Sequence, residues 1–67
     1  MIKLTVNGQE KDVADGTTVR QLIVELELGK AAVAVEVNRE LVPKRSHDAT
    51  VLQDGDNVEL VTLVGGG

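Results

Sequence analysis

The chain of 67 residues contains no cysteine, phenylalanine, tyrosine or tryptophan, and only one proline and one histidine. Without cysteine it can form no disulfide, supply no thiolate nucleophile and build no zinc site of the cysteine type. Without aromatic rings it has nothing to stack on bases, and its net charge of −4 repels phosphate backbones. We therefore expect no nucleic-acid partner, and favour a protein partner with a basic surface.

Long apolar runs are also missing from the sequence. No run approaches the roughly 20 residues of a membrane-spanning helix, and the pattern at Met1 is that of a strand, not of a signal peptide. These features predict a cytoplasmic protein that does not engage a membrane. A chain this short forms one small domain with no room for a deep substrate cleft.

What the sequence does contain is aliphatic residues, with twelve valines, eight leucines and two isoleucines to build the core. Valine favours strands. Period-two alternation predicts a strand over residues 1–6, and Asn7-Gly8 predicts a hairpin with a return strand over 11–13. A strict two-residue loop would turn Gln9 and Lys11 to the core face. Either they lie at the open end of the sheet or a bulge shifts the register.

A single amphipathic helix follows the hairpin. Thr18 and Gln21 have the spacing of a capping box, and the apolar residues Val19, Leu22, Ile23 and Leu26 recur at helical spacing. Gly29 stands where a left-handed C-terminal cap is expected. About nine helical residues are too few to be stable alone, so this helix must pack on a sheet.

The second half of the chain predicts another hairpin and a final strand. Alternation continues over residues 32–37, a turn over 38–40 leads to the short strand Leu41-Val42, and Pro43 ends it. Val51 and Leu52 are predicted to close the core, and residues 54–57 to form a type I′ or related turn. Residues 58–64 are predicted to form the last and most apolar strand. Val61 and Leu63 lie on its outer face, either as a patch for a partner, which we favour, or as scattered surface residues.

No catalytic constellation is apparent in the sequence. Ser46-His47-Asp48 are consecutive, whereas a catalytic triad needs side chains that converge in space, so we interpret them as turn-forming and cap residues. The acidic residues of the 54–57 turn lack the third ligand and the closing glutamate of a calcium loop. We therefore expect no metal site and no bound cofactor.

The last three residues, Gly65, Gly66 and Gly67, are the most informative feature. Glycine has no Cβ, so such a tail fits a slot too narrow for other residues, and three extended residues reach about 10 Å. Its only reactive group is the α-carboxylate of Gly67. We predict a folded domain over 1–64 and a flexible tail over 65–67 that carries this carboxylate into a partner's active site. The alternative is an incidental, frayed terminus.

The order of hairpin, helix, hairpin and final strand before Gly-Gly resembles the ubiquitin-like β-grasp proteins, and more specifically the ThiS family of sulfur carriers. Matching segments are 6–8, 15–19, 37–44, 52–61 and 64–67. The resemblance implies an α+β, β-grasp fold: a mixed sheet with the first and last strands parallel at its centre and one helix across one face. Family members often carry aromatic residues near 46–49 and before the terminal glycines, and this chain has none there.

The resemblance also implies a function and partners. An adenylating enzyme of the ThiF type would use ATP to activate Gly67, a persulfide donor would convert it to a thiocarboxylate, and thiazole synthase would accept the sulfur for thiamine biosynthesis. The chain itself would be a carrier and not an enzyme. Gly65 and Gly66 would form the tail, and Val61, Leu63 and Val64 would contact partners.

Four other functions remain open at this point. The small subunit of molybdopterin synthase also resembles this fold, but it is typically longer and richer in aromatic residues. A carrier for another sulfur metabolite, or a protein modifier that joins Gly67 to lysines, has the same requirement for a free terminal glycine. A plain interaction module would not depend on the glycines.

Overall fold

The computed structural model describes residues 1–29 and 32–63. It contains five strands, one α-helix and one 3₁₀ turn: β1 Ile2–Val6, β2 Gln9–Val13, α1 Val19–Glu25, β3 Ala32–Val37, β4 Glu40–Val42, the 3₁₀ turn Lys44–Ser46 and β5 Asn57–Leu63. The strands form one sheet in the order β2-β1-β5-β3-β4. β1 and β5 are parallel and the other neighbours are antiparallel, which confirms the predicted β-grasp topology.

The core lies between α1 and one face of the sheet. Its buried side chains come from four strands, the helix and one loop: Leu4, Val6, Val13, Val19, Leu22, Ile23, Val35, Leu52, Val58 and Leu60. Each such aliphatic side chain contributes about 1.5–3 kcal/mol on burial. The prediction that Val51 and Leu52 both close the core is correct for Leu52 and wrong for Val51, which is half exposed because it pairs with Thr18 at the surface.

The first hairpin keeps a strict two-residue loop with no bulge. Leu4 lies opposite Lys11 and Val6 opposite Gln9. Gln9 is exposed at the open end of the sheet, and Lys11 is half-buried with its amine 3.3 Å from Glu25 of α1. A lysine can occupy this core-side position because its aliphatic stem covers apolar surface while its charge reaches the helix and water.

The N-terminus of α1 forms the predicted capping box. The Gln21 amide donates to the Thr18 hydroxyl at 3.1 Å, and the Thr18 amide donates to the Gln21 side chain at 3.0 Å. Two N–H groups that a helix start leaves without partners are thereby satisfied.

The C-terminus of α1 differs from the prediction. Glu27, not Gly29, takes the left-handed conformation, with φ of +61°. The Glu27 amide donates to the Val24 carbonyl and the Leu28 amide to the Ile23 carbonyl, both at 2.9 Å, which is a Schellman motif. The helix ends two residues earlier than the glycine indicates because Leu28 must turn back to pack against the core.

Replacing Glu27 with Gly is expected to raise the free energy of unfolding by about 0.5–1 kcal/mol, because glycine adopts a positive φ without the steric cost that other residues bear. Thermal or urea unfolding measures the change. Gly29→Ala is the matched control: a Cβ there meets only ordinary contact, 3.7 Å from Val24, so it should not destabilise the fold. A loss of about 1 kcal/mol in Gly29→Ala would place the left-handed cap at Gly29 instead.

The turn predicted over 54–57 lies one residue earlier, over 53–56, with Asn57 already in β5, and it is not of type I′. Gly55 has φ of +87°, Asp54 has no positive φ, and the Asp56 amide donates to the Gln53 carbonyl at 3.1 Å. This is the pattern of a type II turn. Type I′ turns connect the two strands of a hairpin, whereas this turn lies in the loop that precedes β5.

Candidate functional site

The strand that leads to the C-terminus, β5, occupies the centre of the sheet. It is parallel to β1 on one side and antiparallel to β3 on the other. Val58 and Leu60 face the core and are buried, whereas Glu59, Val61 and Leu63 face away from the helix. The strand is therefore held on the β3 side as far as Leu63, and on the β1 side by backbone pairing as far as Val58.

The outer face of the sheet carries an exposed apolar patch. Val61 lies opposite Ala34, and Leu63 opposite Ala32. Leu41 of β4 lies on the same face, because it pairs with Glu36, which in turn pairs with Glu59. Val61 is 58% exposed, Leu63 54% and Leu41 68%. We call Ala34, Leu41, Val61 and Leu63 the outer patch. The predicted exposure of Val61 and Leu63 is confirmed, and its use by a partner stays a prediction.

Two carboxylates adjoin the outer patch. Glu36 and Glu59 are exposed cross-strand neighbours, an arrangement of like charges that destabilises a sheet. Neither takes part in an ion pair within residues 1–29 and 32–63. Binding a cationic surface would relieve this repulsion, so the pair favours a basic partner beside the apolar patch.

Both hairpin turns are fastened to β5 by an asparagine side chain. Asn7 accepts from the Leu60 amide at 2.8 Å and donates to the Leu60 carbonyl at 3.2 Å. On the opposite side Asn38 accepts from the Asn57 amide at 3.0 Å and donates to the Asp56 carboxylate at 2.9 Å. The sequence predicted these residues only as turn formers, because contacts 53 and 19 residues apart leave no local signal.

Asn7→Gly is expected to lower the free energy of unfolding by about 1–3 kcal/mol, because it leaves the partly buried amide and carbonyl of Leu60 without these bonds. Glycine adopts the positive φ of the turn as readily as asparagine does, so the substitution removes the side-chain hydrogen bonds without disturbing the turn. Asn38→Gly is the matched control, since its bonds are exposed and water replaces them. We expect a loss below about 1 kcal/mol there by urea denaturation. Equal losses in the two variants would contradict the fastening role of Asn7.

His47 is buried and has a structural role. Its Nε2 lies 3.1 Å from the Val42 carbonyl, and its own carbonyl accepts from the Arg20 amide at 3.0 Å. The ring is thus engaged with β4, not with Ser46 or Asp48. The non-catalytic interpretation agrees with this geometry, although the sequence did not predict that the ring is buried.

The tail itself lies outside the described residues. That applies to Val64, Gly65, Gly66 and Gly67, so their predicted roles as contact residue, tail and reaction site stay predictions. Among the residues that the structure describes, no cluster of three or more His, Asp or Glu side chains could hold a metal ion. In the same part of the chain, no helix has the length and apolar character needed to cross a bilayer.

Comparison with known proteins points to one family. The ThiS family model matches residues 4–67. The chain is 42% identical over 66 residues to a thiazole synthase of Paramagnetospirillum magneticum, of whose length it spans only 20%. A second thiazole synthase, from Magnetococcus marinus, shows the same 20% span at 36% identity.

Free-standing relatives of this size also match. The sulfur carrier protein ThiS of Escherichia coli is 30% identical over 66 residues, which cover 98% of this chain and all of that protein. A crystal structure of thiamine biosynthesis protein ThiS from Geobacter metallireducens superposes with a TM-score of 0.83 at 39% identity, covering 98% of this chain and all of that one. The chain therefore belongs to the ThiS family.

Proposed function

We propose that this chain is the sulfur carrier of thiamine thiazole biosynthesis and that the Gly67 carboxylate is the group that carries the sulfur. The observation that supports this most strongly is the family match, which runs through residue 67 and so includes the terminal glycines. The Escherichia coli and Bacillus subtilis relatives named as sulfur carriers match over at least 96% of this chain. The reaction takes place in the cytoplasm, with the ATP supplied to a partner enzyme.

The chemistry begins with activation of a poor electrophile. An oxygen of the Gly67 carboxylate attacks the α-phosphorus of ATP, pyrophosphate leaves, and an acyl-adenylate results. A persulfide then attacks the acyl carbon and displaces AMP, giving an acyl disulfide. A thiol then attacks the donor's sulfur atom in that disulfide. A new disulfide forms between the thiol and the donor, and the thiocarboxylate of Gly67 is released. The ThiF-type adenylating enzyme and the persulfide donor supply every catalytic group.

The contribution of this chain is presentation of its terminus. β5 is fixed by β1 and Asn7 as far as Leu60 and by β3 as far as Leu63, so the position of Leu63 is set by the sheet. We propose that the outer patch docks on the adenylating enzyme, with Val61, Leu63 and Val64 in contact and Glu36 and Glu59 facing basic residues. Four residues beyond Leu63 reach about 13–14 Å when extended, enough to enter an active site from that surface.

Thiazole synthase is proposed as the acceptor because two proteins of that name contain a segment similar to this chain. The segment occupies one fifth of each, so four fifths of each belongs to something other than a carrier-like unit. A carrier and its acceptor joined in one polypeptide work at a high effective concentration. The same pairing between separate chains requires the docking surface described above.

The experiment is transfer of labelled sulfur from the loaded chain. We prepare the chain with a ³⁵S-thiocarboxylate at Gly67 and mix it with thiazole synthase and its substrates, or with the large subunit of molybdopterin synthase and its substrate. The proposal predicts that label passes into the thiazole product and not into molybdopterin. Transfer only to the molybdopterin product would overturn the thiazole assignment while leaving the carrier chemistry intact.

A further inference from the structure

Within residues 1–29 and 32–63, the N-terminal part of β3 has no neighbouring strand on the side where β4 pairs with its C-terminal part. Even-numbered residues of β3 direct their backbone groups to β5, as the Asn38 amide shows by donating to the Asn57 carbonyl at 2.8 Å. Odd-numbered residues therefore direct theirs to β4, which pairs with Val37 and Val35 and then ends at Val42. Within the described chain no strand residue lies opposite Val33. Its N–H and C=O face outward at an open sheet edge, where an added strand can pair.

A groove of about 540 Å³ runs along this edge. Its floor is apolar, with Ile23 of α1, Val33 of β3 and Val42 and Pro43 at the end of β4. Strand pairing stops after Val42 because Lys44, which the register places opposite Val33, begins the 3₁₀ turn and does not continue β4. The early end of β4 therefore leaves the groove open.

The charge of the groove is opposite to that of the whole molecule. Arg20 and Lys44 line it, and within residues 1–29 and 32–63 its lining includes no Asp or Glu. Both cations are exposed, and neither forms an ion pair in this part of the structure. In a chain of net charge −4, a groove lined by two cations and by no described Asp or Glu is a local basic site suited to an acidic segment.

We propose that this groove binds an extended, acidic peptide segment of a partner protein, which adds to β3 as a strand opposite Val33. Backbone bonds to Val33 set the register, aliphatic side chains contact Ile23 and Val42, and flanking carboxylates pair with Arg20 and Lys44. The groove adjoins the outer patch, because Ala34, Leu41 and Leu63 line both, but the proposal depends on Ile23, Val33, Arg20 and Lys44, which are not part of that patch. The sulfur chemistry proposed at Gly67 does not involve these four residues, so a failure of the peptide test would leave the sulfur-carrier function untouched.

The probe is a capped pentapeptide, Ac-Glu-Val-Ile-Val-Asp-NH₂, titrated into the full ¹⁵N-labelled chain. We expect saturable amide shifts at Val33 and Ile23 and a dissociation constant on the order of 0.1–1 mM, as for a short peptide that must order on binding. The same peptide with both acids replaced by lysine should bind at least tenfold more weakly.

Strand addition has a specific signature in the probe. In an added strand, the backbone N–H groups of alternate residues point to β3 and those of the residues between them point to solvent. N-methylation of the set that points to β3, either the central residue or the two valines, should therefore abolish binding. N-methylation of the other set should not. This test leaves the protein unchanged, so folding cannot confound it. Equal effects at all three positions would overturn the proposal.

The charge contribution is tested in the protein. Arg20→Glu with Lys44→Glu should weaken binding at least tenfold, while Lys3→Glu with Arg39→Glu, which changes net charge equally away from the groove, should leave it within about twofold. The amide spectrum of each variant verifies its fold. Unchanged peptide binding in the groove variant would overturn the proposal. A chain that lacks residues 64–67 provides a further test. If it binds the peptide tenfold more tightly, the proposal is overturned, because the chain's own terminus would then be the occupant of the groove.

Discussion

A chain whose Gly67 carboxylate is converted to an amide is expected to show no ATP-dependent activation. The amide differs from the carboxylate by one group of nearly equal size, so docking is preserved and only the attacking oxygen is lost. Pyrophosphate exchange into ATP by the adenylating enzyme should fall to the background measured without the chain. The amidated chain should also compete with the native chain, because its docking surface is intact.

Tail length provides the matched comparison. Deleting Gly67 leaves a Gly-Gly terminus with a free carboxylate that is about 3.5 Å too short, and adding one glycine makes it as much too long. A misplacement of about 1 Å can cost on the order of 100-fold in rate, so both variants should lose at least that much. Full activity of the amidated chain would contradict the assignment of Gly67. Full activity of both length variants would contradict the fixed reach from β5.

Val61→Lys is expected to reduce the efficiency of adenylation by about 10- to 100-fold with little change in stability. The substitution removes apolar area from the outer patch and places a cation where a basic partner surface is predicted, a combined loss of about 1.4–2.7 kcal/mol. Steady-state pyrophosphate exchange at varied carrier concentration measures it. We expect the change mainly in KM, because docking is lost and not chemistry.

Val24→Lys is the control for that variant. Val24 is exposed to a similar extent, 54% against 58%, but it lies on α1, away from the outer patch. The substitution alters charge and apolar area equally and should leave exchange within about twofold. If both variants lose activity equally, the effect is one of net charge and the outer patch is not the docking surface.

Local signals in the sequence predicted most of the fold. The Asn7-Gly8 turn, the Thr18–Gln21 capping box and the alternation in β3 all depend on residues a few positions apart, and all are present. The parallel pairing of β1 with β5 came from the family resemblance, because no periodicity encodes which strands become neighbours. The TM-score of 0.83 to a ThiS structure agrees with that placement.

The sequence failed where distant contacts decide the outcome. Gly29 carried the local signal for the helix cap. Because Leu28 packs against the core, the left-handed residue is Glu27. Val51 and Leu52 are equally apolar, and only their place relative to Thr18 separates the exposed residue from the buried one. The bonds from Asn7 to Leu60 and the basic groove beside Val33 join segments far apart in the chain, so neither has a sequence pattern.

The central claim is tested most directly by mass spectrometry of the C-terminal peptide from protein isolated from its own cells and treated with a thiol-selective alkylating reagent. The chain has no cysteine, so alkylation localised to Gly67 identifies a thiocarboxylate and excludes the similar mass gain of Met1 oxidation. We expect a fraction of the chains to be alkylated at Gly67, and that fraction to disappear when the adenylating enzyme is absent. A terminus that stays unalkylated even after incubation with ATP, a persulfide donor and the adenylating enzyme would contradict the sulfur-carrier function.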